Sequence, residues 1–311
     1  MSRLRVAAVS FLNTRPITYG IERGLVGADR FDLSFAEPSR CAAAMAAGEA
    51  DLALMPMASY AMAADDLRVV PGIAIASRGL VRTVVLVGQV PWEEMTSIAL
   101  DGASRSSQIL VRLLTKERGL SPVFVEVPHA VIAEAATGTQ GALIIGDLGL
   151  HIDGRFSHVY DLGQHWTETV GLPFVYAVWV GRVGCISPDD VALLQESLRL
   201  GLLHRAELGR TWSRDNGVAP SVGERYLIDN VCYQLGSDEV SGATAFLARA
   251  AQAGLLPRPA RLRLFSGPDL PSPLPRPGRS LDALLADAAS GERLGLEEGT
   301  RLYTDAPLFD L

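Results

Sequence analysis

Short apolar runs alternate with amphipathic stretches along most of this chain. Arg5–Ser10 is a nearly continuous apolar run, the pattern of a parallel strand buried on both faces. Pro16 opens a predicted helix that runs through Arg23 and stops at Gly24. Phe31–Ala36 reads as a second strand, Ser39 as the cap of a helix that runs to Ala47 and ends at Gly48, and Asp51–Met55 as a third strand closed by Pro56. Val69–Ile75 and Thr83–Val87 follow as strands on either side of the turn Ser77-Arg78-Gly79.

A second block repeats the theme. Ser97–Leu100 predicts a strand, Asp101–Ser107 a polar loop, and about Ser107 to Arg118 a helix with apolar residues at 109, 110, 113 and 114. Val123–Val127 is a strand, Val131–Ala136 a short helix, and Ala142–Ile145 a strand ending in Gly146-Asp147. Phe174–Val180 is strongly β-like, and the pattern turns helical over 189–210, 221–234 and 237–254. Repeated βα units with Gly/Pro punctuation predict a layered α/β fold. The blocks at about 1–85 and 90–175 are similar in size. They suit two lobes joined by crossing strands with a cleft between them: residues 1–87 with 180–256, and residues 88–179. Periodicity permits this layout without requiring it. From 257 to 277 seven residues are proline, which predicts an extended linker over 257–279. Ser280–Leu311 reads as a capped amphipathic helix and a second short helix, too few residues for a core of their own.

Composition narrows the function classes. The 311 residues are 48% hydrophobic and 20% charged, which excludes a disordered or fibrous chain. The net charge of −7, with no Lys/Arg-rich run, argues against a nucleic-acid partner. No apolar stretch reaches about 18 residues, so no membrane-spanning helix is expected. Two arginines precede the first apolar run, but it is too short for the core of a secretion signal, which points to a cytoplasmic protein. Three scattered cysteines without a C-x-x-C pair speak against zinc ribbons, iron–sulfur clusters and a disulfide framework. Among the 28 Lys and Arg residues Lys116 is the one lysine, and it sits in a helix-end string, which argues against Schiff-base chemistry.

Ligands of open α/β sheets bind beyond the carboxyl ends of the strands. Three polar loops fall there: Ser10–Pro16 with Asn13 and Thr14, Ser104-Arg105-Ser106-Ser107 at a helix start, and Gly146-Asp147. A helix start lined with hydroxyls and free N–H groups binds a carboxylate or phosphate; the same side chains also serve as ordinary helix caps. The nucleophile-elbow, P-loop, dinucleotide-binding and H-E-x-x-H motifs are missing. His151, His158 and His165 recur every seven residues in a loop-rich stretch and read as surface or hydrogen-bonded residues rather than metal ligands. Cys41 and the aromatic residues Trp166, Phe174, Tyr176 and Trp179 read as core. On the residues alone, this is a two-lobed α/β protein that binds a small anion.

Val9-Ser-Phe-Leu-Asn-Thr-Arg-Pro16 resembles the opening signature of the MqnA family, the chorismate dehydratases of the futalosine route to menaquinone. Further segments resemble that family in the same order: 51–56, 71–75, Leu100–Ser107, Leu143–Asp147, Tyr160–Gly163, Trp166 and Gly171–Trp179, covering about residues 3–256. The resemblance implies a type II periplasmic-binding-protein-like fold, two α/β lobes around a cleft, used inside the cell as a cofactor-free hydro-lyase. Such enzymes convert chorismate to 3-[(1-carboxyvinyl)oxy]benzoate. The family's catalytic asparagine falls on Asn13. Its catalytic serine falls on Thr83, which keeps the hydroxyl but adds a methyl and a stiffer χ1. The Ser104–Ser107 helix start, with Arg105 or Arg78, is then a clamp for one of chorismate's two carboxylates, and Thr14, Gly146 and Asp147 are further substrate contacts. An amide is no base, so Asn13 and Thr83 are expected to orient the ring hydroxyl or a carboxylate, with a substrate carboxylate or water taking the ring proton. The alternatives are a non-catalytic carboxylate-binding protein of the same fold and a dehydratase for another cyclic carboxylate. The tail, from Leu281-Asp-Ala-Leu-Leu to Ala306-Pro-Leu, resembles the leader of radical SAM enzymes of the same pathway, without their C-x-x-x-C-x-x-C motif. No radical chemistry is expected, and downstream pathway enzymes are candidate partners.

Overall fold

The computed structural model describes residues 3–265 apart from 64, 103 and 153. Ten strands lie among them: β1 (Leu4–Val9), β2 (Phe31–Ala36), β3 (Leu52–Pro56), β4 (Leu67–Ser77), β5 (Val84–Gly88), β6 (Ser97–Asp101), β7 (Val123–Val127), β8 (Gln140–Ile145), β9 (His158–Asp161) and β10 (Phe174–Arg182). The first sheet has the order β2-β1-β3-β10-β4 and the second β7-β6-β8-β5-β9. In the first, β1 runs parallel to β2 and β3, and β10 returns antiparallel between β3 and β4. In the second, β6 is parallel to β7 and β8, and β5 is antiparallel to β8 and β9. Two mixed α/β sheets are the two-layered halves that the βα repeats predict.

The side-chain period of two explains why the inner strands of the second sheet are apolar throughout. Val84, Leu86, Ile98, Leu100, Leu143 and Ile145 face the main core, whereas Val85, Val87, Ala99, Ala142 and Ile144 face a smaller cluster with Ile132 and Ile152. Both faces are covered, so an alternating apolar–polar pattern would leave polar groups buried without partners. The core aromatics are where the sequence puts them: Trp166, Phe174 and Trp179 are fully buried, and Trp166 meets Phe174 edge-on at 5.4 Å.

Three expectations are corrected. The lobe borders at 87 and 179 each fall on the wrong side of a strand. β5 pairs in the second sheet and β10 in the first, so the crossings lie between Ser77 and Val84 and between Asp161 and Phe174. Periodicity detects a strand but is blind to its partner. Second, 221–234 is not one helix. A short helix, Pro220–Arg225, passes into a π-helical turn, Tyr226–Asn230, and Cys232 then bridges to Ala76. The segments 189–210 and 131–136 are likewise broken, into helices Pro188–Leu203 and Arg205–Asp215 and into two 3₁₀ turns. Third, the start of the expected linker packs on the fold. Val69 and Leu264 form a parallel bridge, with Val69 N–H donating to Arg263 C=O at 2.8 Å and Phe265 N–H to Val69 C=O at 2.7 Å. The remainder of that linker and the tail lie outside the described residues. Among the described residues no helix is long and apolar enough to cross a membrane.

Candidate active site

A narrow cavity lies beyond the carboxyl ends of β1, β3 and β8. Its walls come from both sheets: Val9, Pro56, Ile75 and Ala177 from the first, Val84 and Ile145 from the second. The polar atoms on this apolar surface belong to Asn13, Thr83, Ser104, Ser107 and Tyr176. A mostly apolar pocket with a few convergent polar groups is the usual form of a small-molecule site.

Asn13 sits in a 3₁₀ turn, Leu12–Thr14, that carries β1 into helix α1 (Arg15–Glu22), with Pro16 in its first turn. Thr83 stands at the end of the crossing between the sheets, and is 2% exposed. The residue before it, Arg82, has φ of +66°, a left-handed conformation that is costly for a side chain with a Cβ. The Asp161 carboxylate holds this turn by accepting from the N–H groups of Val81 (3.0 Å) and Arg82 (2.6 Å). It also accepts from Gln164 N–H (3.0 Å) as the N-cap of the helix Leu162–Val170. Burial pushes the Asp161 carboxyl above the usual carboxylate range against these bonds.

The hydroxyl of Tyr226 joins the two candidate catalytic residues. Asn13 Nδ2 donates to Tyr226 Oη at 2.8 Å, and Tyr226 Oη lies 2.9 Å from Thr83 Oγ1. Tyr226 is fully buried, 213 residues from Asn13 in the chain. No motif marked it; a tyrosine heading the apolar run Tyr226-Leu-Ile reads as ordinary helix core.

The helix start at 104–107 divides by rotation about its axis. Helix α2 (Arg105–Glu117) has Ser104 at its N-cap with extended φ and ψ, yet the Ser104 hydroxyl does not cap it. Instead Ser104 Oγ and Ser107 Oγ pair at 3.1 Å beside the cavity, near first-turn N–H groups that have no carbonyl a turn earlier. Ser106 points into the core, accepting from Ala58 N–H (3.0 Å) and donating to Tyr176 C=O (3.2 Å). Arg105 lies at a different groove, with its guanidinium 4.0 Å from Met62 Sδ. Arg78 is exposed and paired with Asp238 at 2.6 Å and Glu239 at 3.7 Å. Neither arginine lines the cavity, so the expected arginine clamp reduces to two serines and a helix start.

The other expected contacts also divide. Thr14 is fully buried, with Oγ1 3.5 Å from Asn13 Oδ1, and does not line the cavity. Gly146 does line it. Its φ of +67° favours glycine, and a Cβ there would come within 2.6 Å of the Phe11 ring. Asp147 is used to hold the sheets together: both carboxylate oxygens accept from Leu12 N–H, at 3.0 and 3.1 Å. Its carboxyl is pushed up to about 6 by burial, opposed by Leu12, Trp212 and Arg15. The three histidines spaced by seven do not converge. His151 lies against Trp212, His158 stacks on Tyr160, and His165 meets Trp92 edge-on.

Residues 4–252 match the family model described as menaquinone biosynthesis. The chain belongs to this menaquinone biosynthesis family. Within it, the chain is 29% identical over 234 residues to a chorismate dehydratase from Thermus thermophilus, covering 70% of this chain and 85% of that protein. The architecture is that of the periplasmic binding proteins. Protein AF1704 from Archaeoglobus fulgidus superposes with a TM-score of 0.69 at 17% identity, covering 82% of this chain and 99% of that one. The alkanesulfonate-binding protein SsuA from Xanthomonas axonopodis pv. citri, bound to MOPS, gives 0.63 at 17% identity, covering 84% and 96%. This menaquinone biosynthesis protein thus carries Asn13 and Thr83 in a cavity between two sheets of a binding-protein-like fold.

Proposed function

We propose that this chain is a chorismate dehydratase that forms 3-[(1-carboxyvinyl)oxy]benzoate in the cytoplasm, as a hydro-lyase of the futalosine route that requires no cofactor. The observation that carries the reading is the meeting of Asn13 and Thr83, 70 positions apart, at one cavity that two serine hydroxyls at a helix start also line. The family and the name of the Thermus thermophilus relative support the choice of substrate.

Chorismate is a dianion whose ring becomes aromatic on losing one ring hydrogen and the neighbouring hydroxyl. Aromatisation supplies the driving force, so the site has to orient more than to activate. Ser104, Ser107 and the start of α2 hold one carboxylate by hydrogen bonds to the charged group and by the helix dipole. Asn13 and Thr83 hold the departing hydroxyl and the ring in the eliminating geometry. A substrate carboxylate or water takes the ring proton, which leaves with the hydroxyl as water.

The test is direct. The full chain is incubated with chorismate and the enolpyruvyl-benzoate product is followed by chromatography. Turnover by the wild-type chain, with loss of at least about 100-fold in Asn13→Ala at unchanged circular dichroism, is the expected result. Tight chorismate binding with no product would instead assign the chain to a binding role, and an active Asn13→Ala would remove that residue from the mechanism.

A further inference from the structure

Asn13 and Thr83 are linked through Tyr226, whose hydroxyl is hydrogen-bonded to both. Its ring is fully buried, and a hydroxyl so buried is paired in folded proteins. Two partners are within reach among the described residues, Asn13 Nδ2 at 2.8 Å and Thr83 Oγ1 at 2.9 Å. Tyr226 enters from the π-helical turn that breaks the Pro220–Arg225 helix. Single π turns of this kind recur at functional sites, where they re-aim one side chain.

The hydrogen-bond inventory fixes the direction of the chain. Asn13 Nδ2 carries two protons and no lone pair for a bond, so it donates to Tyr226 Oη. The tyrosyl oxygen then holds one proton of its own. Were Thr83 to donate as well, that proton would be buried with no acceptor, an arrangement folded proteins avoid. Tyr226 therefore donates to Thr83 Oγ1. The Thr83 proton remains, and its one other acceptor among the described residues is Val81 C=O at a long 3.5 Å. Burial pushes the Tyr226 phenol far above its ordinary value, so it stays neutral and acts as a donor rather than a base.

We infer that Tyr226 is a positioning residue of the site: its hydroxyl fixes the Asn13 amide and turns Thr83 into a hydrogen-bond donor aimed at the cavity. This role rests on the dehydration proposed above. During elimination the ring C–H bond breaks and a ring double bond forms. The C–O bond to the hydroxyl breaks, and its oxygen, held by Thr83, leaves as water with the proton taken from the ring. Tyr226 neither gains nor loses a proton. A hydroxyl that already accepts a hydrogen bond is a stronger donor, so the tyrosine acts on the chemical step through Thr83.

The experiment is a double-mutant cycle on the full chain, with chorismate as substrate. Tyr226→Phe keeps the ring and removes one oxygen. The expected result is a fall in kcat of about 30-fold with KM within about threefold, because the interaction matters in the transition state. In a Thr83→Val background, which has no hydroxyl to orient, Tyr226→Phe should cost less than about twofold more. A purely structural role would multiply the two losses instead, and that outcome overturns the inference. So does a Tyr226→Phe enzyme with kcat within about twofold of wild type. Placing 3-fluorotyrosine at position 226 keeps the hydroxyl and does not depend on phenylalanine being tolerated. It should hold kcat within about twofold or raise it, and a loss of more than about tenfold refutes the role. Wild-type protein that fails to turn over chorismate overturns the reaction and this role together, whereas an active wild type with an unaffected Tyr226→Phe overturns the role alone.

Discussion

Replacing Asp147 by asparagine should remove a loss of stability that develops as pH rises from about 4 to about 6. Asp147 follows β8 of the second sheet and accepts from Leu12 N–H beyond β1 of the first. Its surroundings cost the charge more water than the hydrogen bond returns, so its carboxyl is pushed from the ordinary 3.8 up to about 6. The sign follows from where the proton sits. Below 3.8 the carboxyl is protonated in both the folded and unfolded chain, and no cost arises. Between the two values the unfolded chain releases a proton that the folded chain keeps, so stability falls as pH rises. Above about 6 both forms are ionised and the full cost is present. At about 1.4 kcal/mol per pH unit, the interval corresponds to about 3 kcal/mol by pH 7. Asparagine keeps an oxygen for Leu12 N–H and cannot ionise. Urea unfolding of wild type and Asp147→Asn, followed by tryptophan fluorescence at pH 4, 5, 6 and 7, isolates the effect, because every other titrating group cancels in the difference. The variant should gain on wild type by up to about 3 kcal/mol across that range, less what the neutral acceptor loses relative to a charged one. Stability curves that stay parallel within about 0.5 kcal/mol would refute the assignment of this cost to a buried charge.

Ser107→Ala removes a hydroxyl from the proposed carboxylate site and should raise KM for chorismate about tenfold with kcat within about threefold, in steady-state kinetics. Arg78→Ala should leave KM within about twofold, since Arg78 lies outside the cavity and its exposed pair with Asp238 is worth under about 1 kcal/mol; a tenfold rise would return it to the site. Gly201→Ala should destabilise the fold by about 1–3 kcal/mol in urea, because a Cβ there would lie 1.9 Å from the Pro16 carbonyl oxygen where two helices meet.

The inner strands β1, β3 and β10 of the first sheet were legible because they are almost wholly buried. An apolar run such as Val6–Val9 has few other places to go. Which sheet β5 and β10 join was not legible, because hydrogen-bond partners leave no mark on a strand's own pattern. The site was legible to the level of loops. Within 104–107, each step turns the side chain about 100° around the helix, so Ser104 and Ser107 share the cavity side while Ser106 enters the core. Composition cannot make that distinction without the helix's exact start. The sequence offers Arg78 as a partner of the Ser104–Ser107 helix start in clamping a carboxylate; the late helix at Ser237–Gln252 pairs it with Asp238 and Glu239 instead. Tyr226 was hidden because nothing local separates a tyrosine that packs from one whose hydroxyl bridges two loops.

The two candidate catalytic residues are positioned by the same physical device. Asn13 follows a backbone N–H, Leu12, that is held by Asp147; Thr83 follows two, Val81 and Arg82, that are held by Asp161. Both carboxylates belong to the second sheet, one after β8 and one at the end of β9, and burial raises both above the usual carboxylate range. The Asn13 turn belongs to the first sheet and the Thr83 turn to the crossing, so each carboxylate ties a turn outside its own sheet to the second. The left-handed Arg82 costs about 1 kcal/mol or more, and the hydrogen bonds that Asp161 accepts from Val81, Arg82 and Gln164 N–H are of the size needed to hold it. A binding-protein fold can leave its lobes loosely coupled, because a ligand closes them. Elimination demands that an amide and a hydroxyl from different turns face one substrate in a fixed geometry. The Asp147 and Asp161 carboxylates supply that fixity before the substrate arrives, and Tyr226 extends it to the side chains themselves.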